Sequence, residues 1–143
     1  MADPIKLTID GQEVLSQPGT LLINAAKQAG ISIPAFCYYD GLSLQAACRM
    51  CLVEVEKTPK LQVACTVPVT EGMVVHTDSA TVRQARKGTL EFLLTNHPLD
   101  CPVCDKGGEC ELQDMVFRYG AGESRFREIK QHVEEKQWSP VVF

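Results

Sequence analysis

One stretch constrains this chain more than any other: His97–Cys110, which reads H-P-L-D-C-P-V-C-D-K-G-G-E-C. It sets one imidazole and three thiols at the spacing H-x3-C-x2-C-x5-C. Four soft or borderline ligands in one short loop are enough to close a tetrahedral metal site or to hold an iron–sulfur cluster. The neighbouring residues suit a wrapped loop. Pro98 pushes His97 out of helical geometry, and Pro102 removes a backbone donor just after Cys101. Gly107 and Gly108 let the backbone come close to a bulky inorganic core. The stretch reads as a metal centre, and its spacing leaves the metal open.

The remaining cysteines form a second set. Cys37, Cys48, Cys51 and Cys65 follow C-x10-C-x2-C-x13-C. A plant-type binuclear ferredoxin also has a loop cysteine, a C-x2-C pair and a distant fourth, with a shorter first gap. Structural zinc tolerates these gaps too. The Cys48-Arg-Met-Cys51 loop lacks the knuckle glycines of many zinc ribbons, so spacing favours [2Fe–2S] with zinc as the rival. All seven cysteines are used by the two sets, whereas a disulfide framework would leave an odd one over. Met1–Asp10 lacks the charged-then-apolar order of a secretion signal, which fits thiol ligands in a reducing compartment. The net charge of −4 gives no basic footprint for nucleic acid. No run of about eighteen apolar residues is present to span a membrane.

Around these ligands the chain alternates, then turns helical. Ile5–Ile9, an Asp10-Gly11 turn and Glu13–Leu15 predict an opening hairpin. Thr20 is placed to cap a helix to about Ala29, with Leu21, Leu22, Ala25, Ala26 and Ala29 on one face and Gly30 ending it. Strands are expected from Cys51, over Leu61–Val69 with Cys65 inside, and at Met73–His76. Hairpin, crossing helix, then a cysteine-bearing loop is the order of a β-grasp fold. Thr77-Asp78-Ser79 offers caps for a helix from Ala80 to about Thr95. Its apolar stripe is Val82, Ala85, Thr89, Leu90 and Leu93, with Arg83, Arg86 and Lys87 outside on a solvated face. A further helix from Cys110 repeats Leu112, Met115, Val116 and Tyr119 on one side. The expected class is α+β, divided into a β-grasp domain at 1–78, a helical cluster-binding domain at 79–130 and a tail at 131–143.

Taken together, Cys37…Cys48-Arg-Met-Cys51-Leu-Val-Glu-Val-Glu and the His97–Cys110 string running on into Glu-Leu-Gln-Asp114 resemble one family. It is that of the G subunit of NADH-quinone oxidoreductase, the large iron–sulfur subunit of respiratory complex I. Ser124–Phe126 and the run to Trp138 share the likeness, which covers essentially the whole chain. The second string also recurs in NAD-linked hydrogenase diaphorase subunits, some formate dehydrogenases and iron-only hydrogenases. The resemblance implies a ferredoxin-like [2Fe–2S] domain with Cys37, Cys48, Cys51 and Cys65 as ligands. It likewise implies a [4Fe–4S] cluster on His97, Cys101, Cys104 and Cys110.

The implied partners are a flavin-bearing, NADH-oxidising subunit and other subunits of a hydrophilic arm that delivers electrons toward quinone. The implied place is cytoplasmic, peripheral to the inner membrane. Relatives continue into further cluster motifs, so the chain is expected to be a fragment or a naturally split subunit. Ala46 stands where many relatives have glycine, a change the loop is expected to tolerate.

Within the chain there is no nucleophile, acid–base pair or phosphate-cradling glycine loop, so no substrate chemistry is expected here. His76 and His132 are expected to be ordinary surface residues. Asp100, Asp105 and Glu109 are expected to face water. Phe36, Tyr38 and Tyr39 are expected to shield Cys37 by packing, and Trp138 with Val141–Phe143 to serve packing or an interface.

Overall fold

Alternation in the first strand, β1 (Ile5–Ile9), buries Leu7 and Ile9, and the chain returns antiparallel as β2 (Gln12–Ser16). Asp10 and Gly11 between them both take positive φ, 48° and 83°, the two-residue turn whose twist matches a hairpin. A computed structural model describes residues 3–120 and 122–131 of the chain. His132, Trp138, Val141–Phe143 and nearly all of the expected tail lie outside the described residues.

Helix α1 (Leu22–Gln28) buries Leu22, Ile23, Ala25 and Ala26, but Thr20 does not cap it. Leu21 holds the cap position without a side-chain hydrogen bond. The orphan N–H groups of Leu22 and Ile23 donate instead to the carbonyls of Val67 and Ala64, at 2.8 and 3.0 Å. The start of α1 is therefore tied to the backbone on both sides of Cys65. Its end closes as expected: Gly30 takes φ 77°, and Ile31 N–H reaches back to Ala26 at 2.9 Å.

Strands β3 (Leu52–Val55), β4 (Gln62–Val63) and β5 (Val74–His76) complete a sheet of order β2-β1-β5-β3-β4. β1 and β5 run parallel, and the other neighbours antiparallel. The apolar face of α1 packs on Leu7, Ile9, Val53 and Val75. A mixed sheet crossed by one helix is the expected β-grasp arrangement, in the α+β class. The strand expected over Leu61–Val69 stops at Val63, however. Thr66 N–H turns back to the Val63 carbonyl, α1 occupies the Ala64 and Val67 carbonyls, and Pro68 has no N–H to offer a ladder. Cys65 consequently sits in a turn.

Ser79 caps α2 (Ala80–Leu94): its hydroxyl oxygen accepts from Val82 N–H and its proton goes to Glu54. Thr77 serves the sheet instead, donating both its N–H and its hydroxyl to the Asp10 carboxylate. After a 3₁₀ turn at Cys101–Val103 comes α3 (Glu111–Tyr119). A second, smaller core joins the two regions. Met50, Leu90 and Tyr119 form its buried centre, with Phe36, Cys48, Leu112, Met115 and Val116 packed around them. Burial of that patch from both sides seats the helices against the Cys37–Cys51 loop.

Candidate metal centres

The first four thiols are delivered by three separate pieces of chain. Cys37 and Cys48 come from the long loop after α1, Cys51 from the start of β3, and Cys65 from the turn under α1. Cys51 and Cys65 are buried, and Cys37 and Cys48 half-buried. Backbone donors point at the sulfurs: Phe36 N–H reaches Cys48 Sγ at 3.3 Å, and Cys48 N–H reaches Cys37 Sγ at 3.4 Å. Such bonds stabilise charge on sulfur.

The loop that brings them together is locally strained. Ala46 and Arg49 take left-handed backbone, with φ 51° and 58°. An L-residue there costs about 1 kcal/mol. The loop holds Ala46, as expected, but glycine at this position has a physical advantage that spacing does not reveal.

Electrostatics bind the set further. Burial pushes the Cys51 thiol up to about 12, and the neighbouring Cys65 and Cys48 sulfurs add to the effect. A thiolate at Cys51 therefore calls for a cation beside it, and a coordinated metal supplies one. Burial also acts to raise Cys37, but N–H groups of Cys48 and Ala47 and the Cys48 thiol bring it below its ordinary value. Among the described residues no three Cys, His, Asp or Glu side chains close around a single metal ion. The four sulfurs instead neighbour one another in series, Cys37 with Cys48, Cys48 with Cys51 and Cys51 with Cys65. Such a spread-out thiol set suits a polynuclear cluster better than one ion.

The second set lies in a differently built loop. α2 ends at Leu94, and His97 N–H folds back to the Leu94 carbonyl at 3.2 Å. A strap from farther along the chain holds this end. Lys130 Nζ donates to the Leu94 and Thr95 carbonyls at 2.6 and 3.1 Å, and Arg125 pairs with Glu91. Residues 123–131 carry no ligand motif, so the strap escapes sequence reasoning. Its one signal is cationic side chains able to meet a helix C-terminus.

Past His97, Cys104 N–H closes on the Cys101 carbonyl and Gly107 N–H on the Cys104 carbonyl. A Cβ on Gly107 would lie 2.7 Å from the Cys101 carbonyl oxygen, so glycine is required by the loop's own backbone. Cys110 holds the N-cap position of α3, with its side chain free of any hydrogen bond to the helix. His97, Cys101, Cys104 and Cys110 all line one cavity of about 240 Å³, together with Leu94, Leu99, Leu112, Val116 and Phe117. Cys101 and Cys104 are exposed. An apolar-walled hollow with one imidazole and three thiols at its rim suits a compact inorganic core.

Other expectations resolve residue by residue. His76 is half-exposed and meets Glu56 at 3.2 Å, away from both sets. Glu109 pairs with Lys106 on the surface, and Asp100 and Asp105 are exposed. Phe36 packs beside Cys48, and the Tyr38 hydroxyl donates to Asn24. Tyr39 does not shield: it is 59% exposed. The largest departure is Arg86. Expected on a solvated face, it is 1% exposed because α2 turns that position onto the Cys48–Cys51 loop.

Known proteins resemble this chain over nearly its whole length. Residues 2–80 match the 2Fe-2S iron-sulfur cluster binding domain family. Residues 86–125 match the NADH-ubiquinone oxidoreductase-G iron-sulfur binding region. The G subunit of the NADH-quinone oxidoreductase of Rickettsia bellii is 54% identical over 138 residues, covering 96% of this chain and 20% of that protein. The mitochondrial NADH-ubiquinone oxidoreductase 78 kDa subunit of Candida albicans is 51% identical over 140 residues, covering 96% of this chain and 19% of its own length. The chain thus spans about a fifth of these relatives. Among solved structures, a chain of an NAD+-reducing [NiFe]-hydrogenase in the H2-reduced state superposes with a TM-score of 0.81 at 29% identity, over 90% of this chain and 54% of that one.

Proposed function

The chain belongs to the 2Fe-2S iron-sulfur cluster binding domain family, and from that premise we propose that it is the N-terminal electron-transfer region of an NADH:quinone oxidoreductase. Cys37, Cys48, Cys51 and Cys65 would hold the [2Fe–2S] cluster, and His97, Cys101, Cys104 and Cys110 the [4Fe–4S] cluster. We place the first in a domain spanning 1–78 and the second in a helical domain spanning 79–130. The observation that carries the reading is the separation of donors into two sets of different chemistry, each built by its own loop.

Iron–sulfur clusters, when bound, supply one-electron redox chemistry with little rearrangement. The residues of this chain set the conditions. Cys51 before β3 and Cys65 in the turn under α1 would hold the first centre from buried positions, and Cys37 and Cys48 from the half-buried loop. Phe36 and Cys48 N–H groups offset charge on sulfur, and the core around Met50 excludes water from its inner side. An imidazole ligand at His97 would leave the second centre one thiolate less negative, which would favour its reduced state, as histidine ligation does in Rieske centres. The electron donor would be a flavin-bearing, NADH-oxidising subunit. Quinone would be reached through further subunits of a hydrophilic arm peripheral to a membrane. No helix among the described residues is long and apolar enough to cross one.

The hydrogenase likeness supports a second reading, in which the same module serves an NAD-linked hydrogenase. The higher identity to complex I subunits favours the first. The test is anaerobic iron, zinc and acid-labile sulfide analysis of the chain with its Cys51→Ser and Cys101→Ser variants. The proposal expects about six irons and six sulfides, falling to about four in the first variant and about two in the second. About two zincs without sulfide would replace it with a structural metal protein.

A further inference from the structure

Arg86 is shut away from water, and a cation is rarely buried so completely unless its donors are matched. Its planar guanidinium is matched on three sides. Nε donates to the Met50 carbonyl at 3.1 Å, Nη2 to the Leu52 carbonyl at 3.0 Å, and Nη1 to the Tyr119 hydroxyl at 3.1 Å. Met50 and Leu52 bracket Cys51. Tyr119 closes α3 and lies in the small core that joins the helices to the cysteine loop. One side chain of α2 thereby grips the peptides around a buried ligand of the first centre and the last turn of the helix that starts at Cys110.

The charge on Arg86 is only partly neutralised. The nearest carboxylate, Asp78 Oδ1, is 3.8 Å from Nη1, is 37% exposed and is shared with Arg83. Arg118 adds a second cation on Tyr119, 5.0 Å from its ring centre. Burial lowers the Arg86 pKa from its ordinary value, but a guanidinium does not lose its proton in a protein. The remaining acceptors are two carbonyls and a hydroxyl, which orient around a positive charge without cancelling it.

The geometry points to Arg86 as a positioning residue for the first centre: its fork fixes the backbone on either side of Cys51, and its buried positive charge stabilises the reduced cluster. The inference rests on the cluster reading above. Reduction by one electron, from a reduced flavin or a neighbouring iron–sulfur centre, adds a full negative charge beside Cys51. No bond forms or breaks and no proton moves. A fixed cation held against the peptides that flank Cys51 lowers the energy of the reduced form more than that of the oxidised one. Lysine would keep the charge and lose the fork, whereas glutamine would lose the charge.

The test is a potentiometric titration of the full chain, loaded anaerobically, with the binuclear signal read by electron paramagnetic resonance in wild type, Arg86→Lys and Arg86→Gln. Absence of a binuclear signal in wild type would refute the cluster reading itself. With that signal present, Arg86→Gln is expected to lower the reduced-to-oxidised ratio at fixed potential about tenfold, equivalent to about 59 mV for a one-electron couple. Arg86→Lys is expected to stay within about threefold of wild type. A ratio in Arg86→Gln within about twofold of wild type, or a shift in Arg86→Lys as large as in Arg86→Gln, overturns the assignment. Where Arg86→Gln does not retain the cluster, Arg86→Lys decides: a near-wild-type ratio supports the assignment, and a tenfold shift or loss of the cluster overturns it.

Discussion

Replacing Tyr119 with phenylalanine removes one oxygen from the joint between the two centres and leaves its ring in place. Tyr119 is 7% exposed, and its hydroxyl is the acceptor for Arg86 Nη1 at 3.1 Å. A hydrogen bond to a charged partner contributes about 1.5–3 kcal/mol, and an unmatched buried donor adds to the loss. Two features place this case at the low end. The ring still lies 5.0 Å from the guanidinium carbon, and Asp78 stands 3.8 Å from the same nitrogen, ready to take up part of the charge. The expected loss is about 1.5 kcal/mol.

Cluster release makes unfolding irreversible, so the quantity to read is the rate of visible bleaching in urea under anaerobic conditions. A loss of about 1.5 kcal/mol from a contact absent in the unfolding transition state speeds bleaching about tenfold. Both visible bands should bleach together, because the bond ties α3 to the loop of the first centre. A rate within about twofold of wild type, the range of an ordinary surface change, would refute the reasoning about this joint.

Three other outcomes follow from the geometry. Ala46→Gly relieves left-handed strain of about 1 kcal/mol but gives the unfolded chain more freedom, so a net gain of about 0.5 kcal/mol should slow bleaching of the binuclear centre about twofold. Gly107→Ala drives a Cβ against the Cys101 carbonyl, and iron content should fall from about six to about two per chain while the binuclear spectrum persists. His97→Cys replaces a neutral ligand with a thiolate, which should lower the midpoint potential of the second centre in a redox titration and leave the first unmoved.

Much of this molecule can be read from its residues because local signals and global fold agree. The Asp10-Gly11 turn, the Gly30 helix stop, the Ser79 cap and the Leu112–Tyr119 stripe each state a backbone preference that the fold keeps. Two of the misreadings share one cause, which is long-range backbone contact. Thr20 looks like a cap, yet carbonyls of Ala64 and Val67, far along the chain, serve the start of α1. The same contacts cut short the strand expected through Cys65.

Arg86 reads as solvated because its partners are two carbonyls and a tyrosine hydroxyl, groups that leave no charge pattern in a sequence. Periodicity is still informative there: Val82, Arg86 and Leu90 recur every four residues and all three are buried. Both ligand sets are conspicuous in the sequence as residues. The donors that tune them, Phe36 N–H and Cys48 N–H, are not, because every residue but proline has one.

Two redox centres of different nuclearity in one chain are the central claim. The most direct measurement is a stoichiometric reductive titration of the anaerobically loaded chain, followed by electron paramagnetic resonance. Two electrons taken up per chain, about one for each cluster, with two distinct paramagnetic signals that Cys51→Ser and Cys101→Ser remove separately, is the predicted result. A chain that takes up no electrons and shows no signal, while holding its metal, would contradict it.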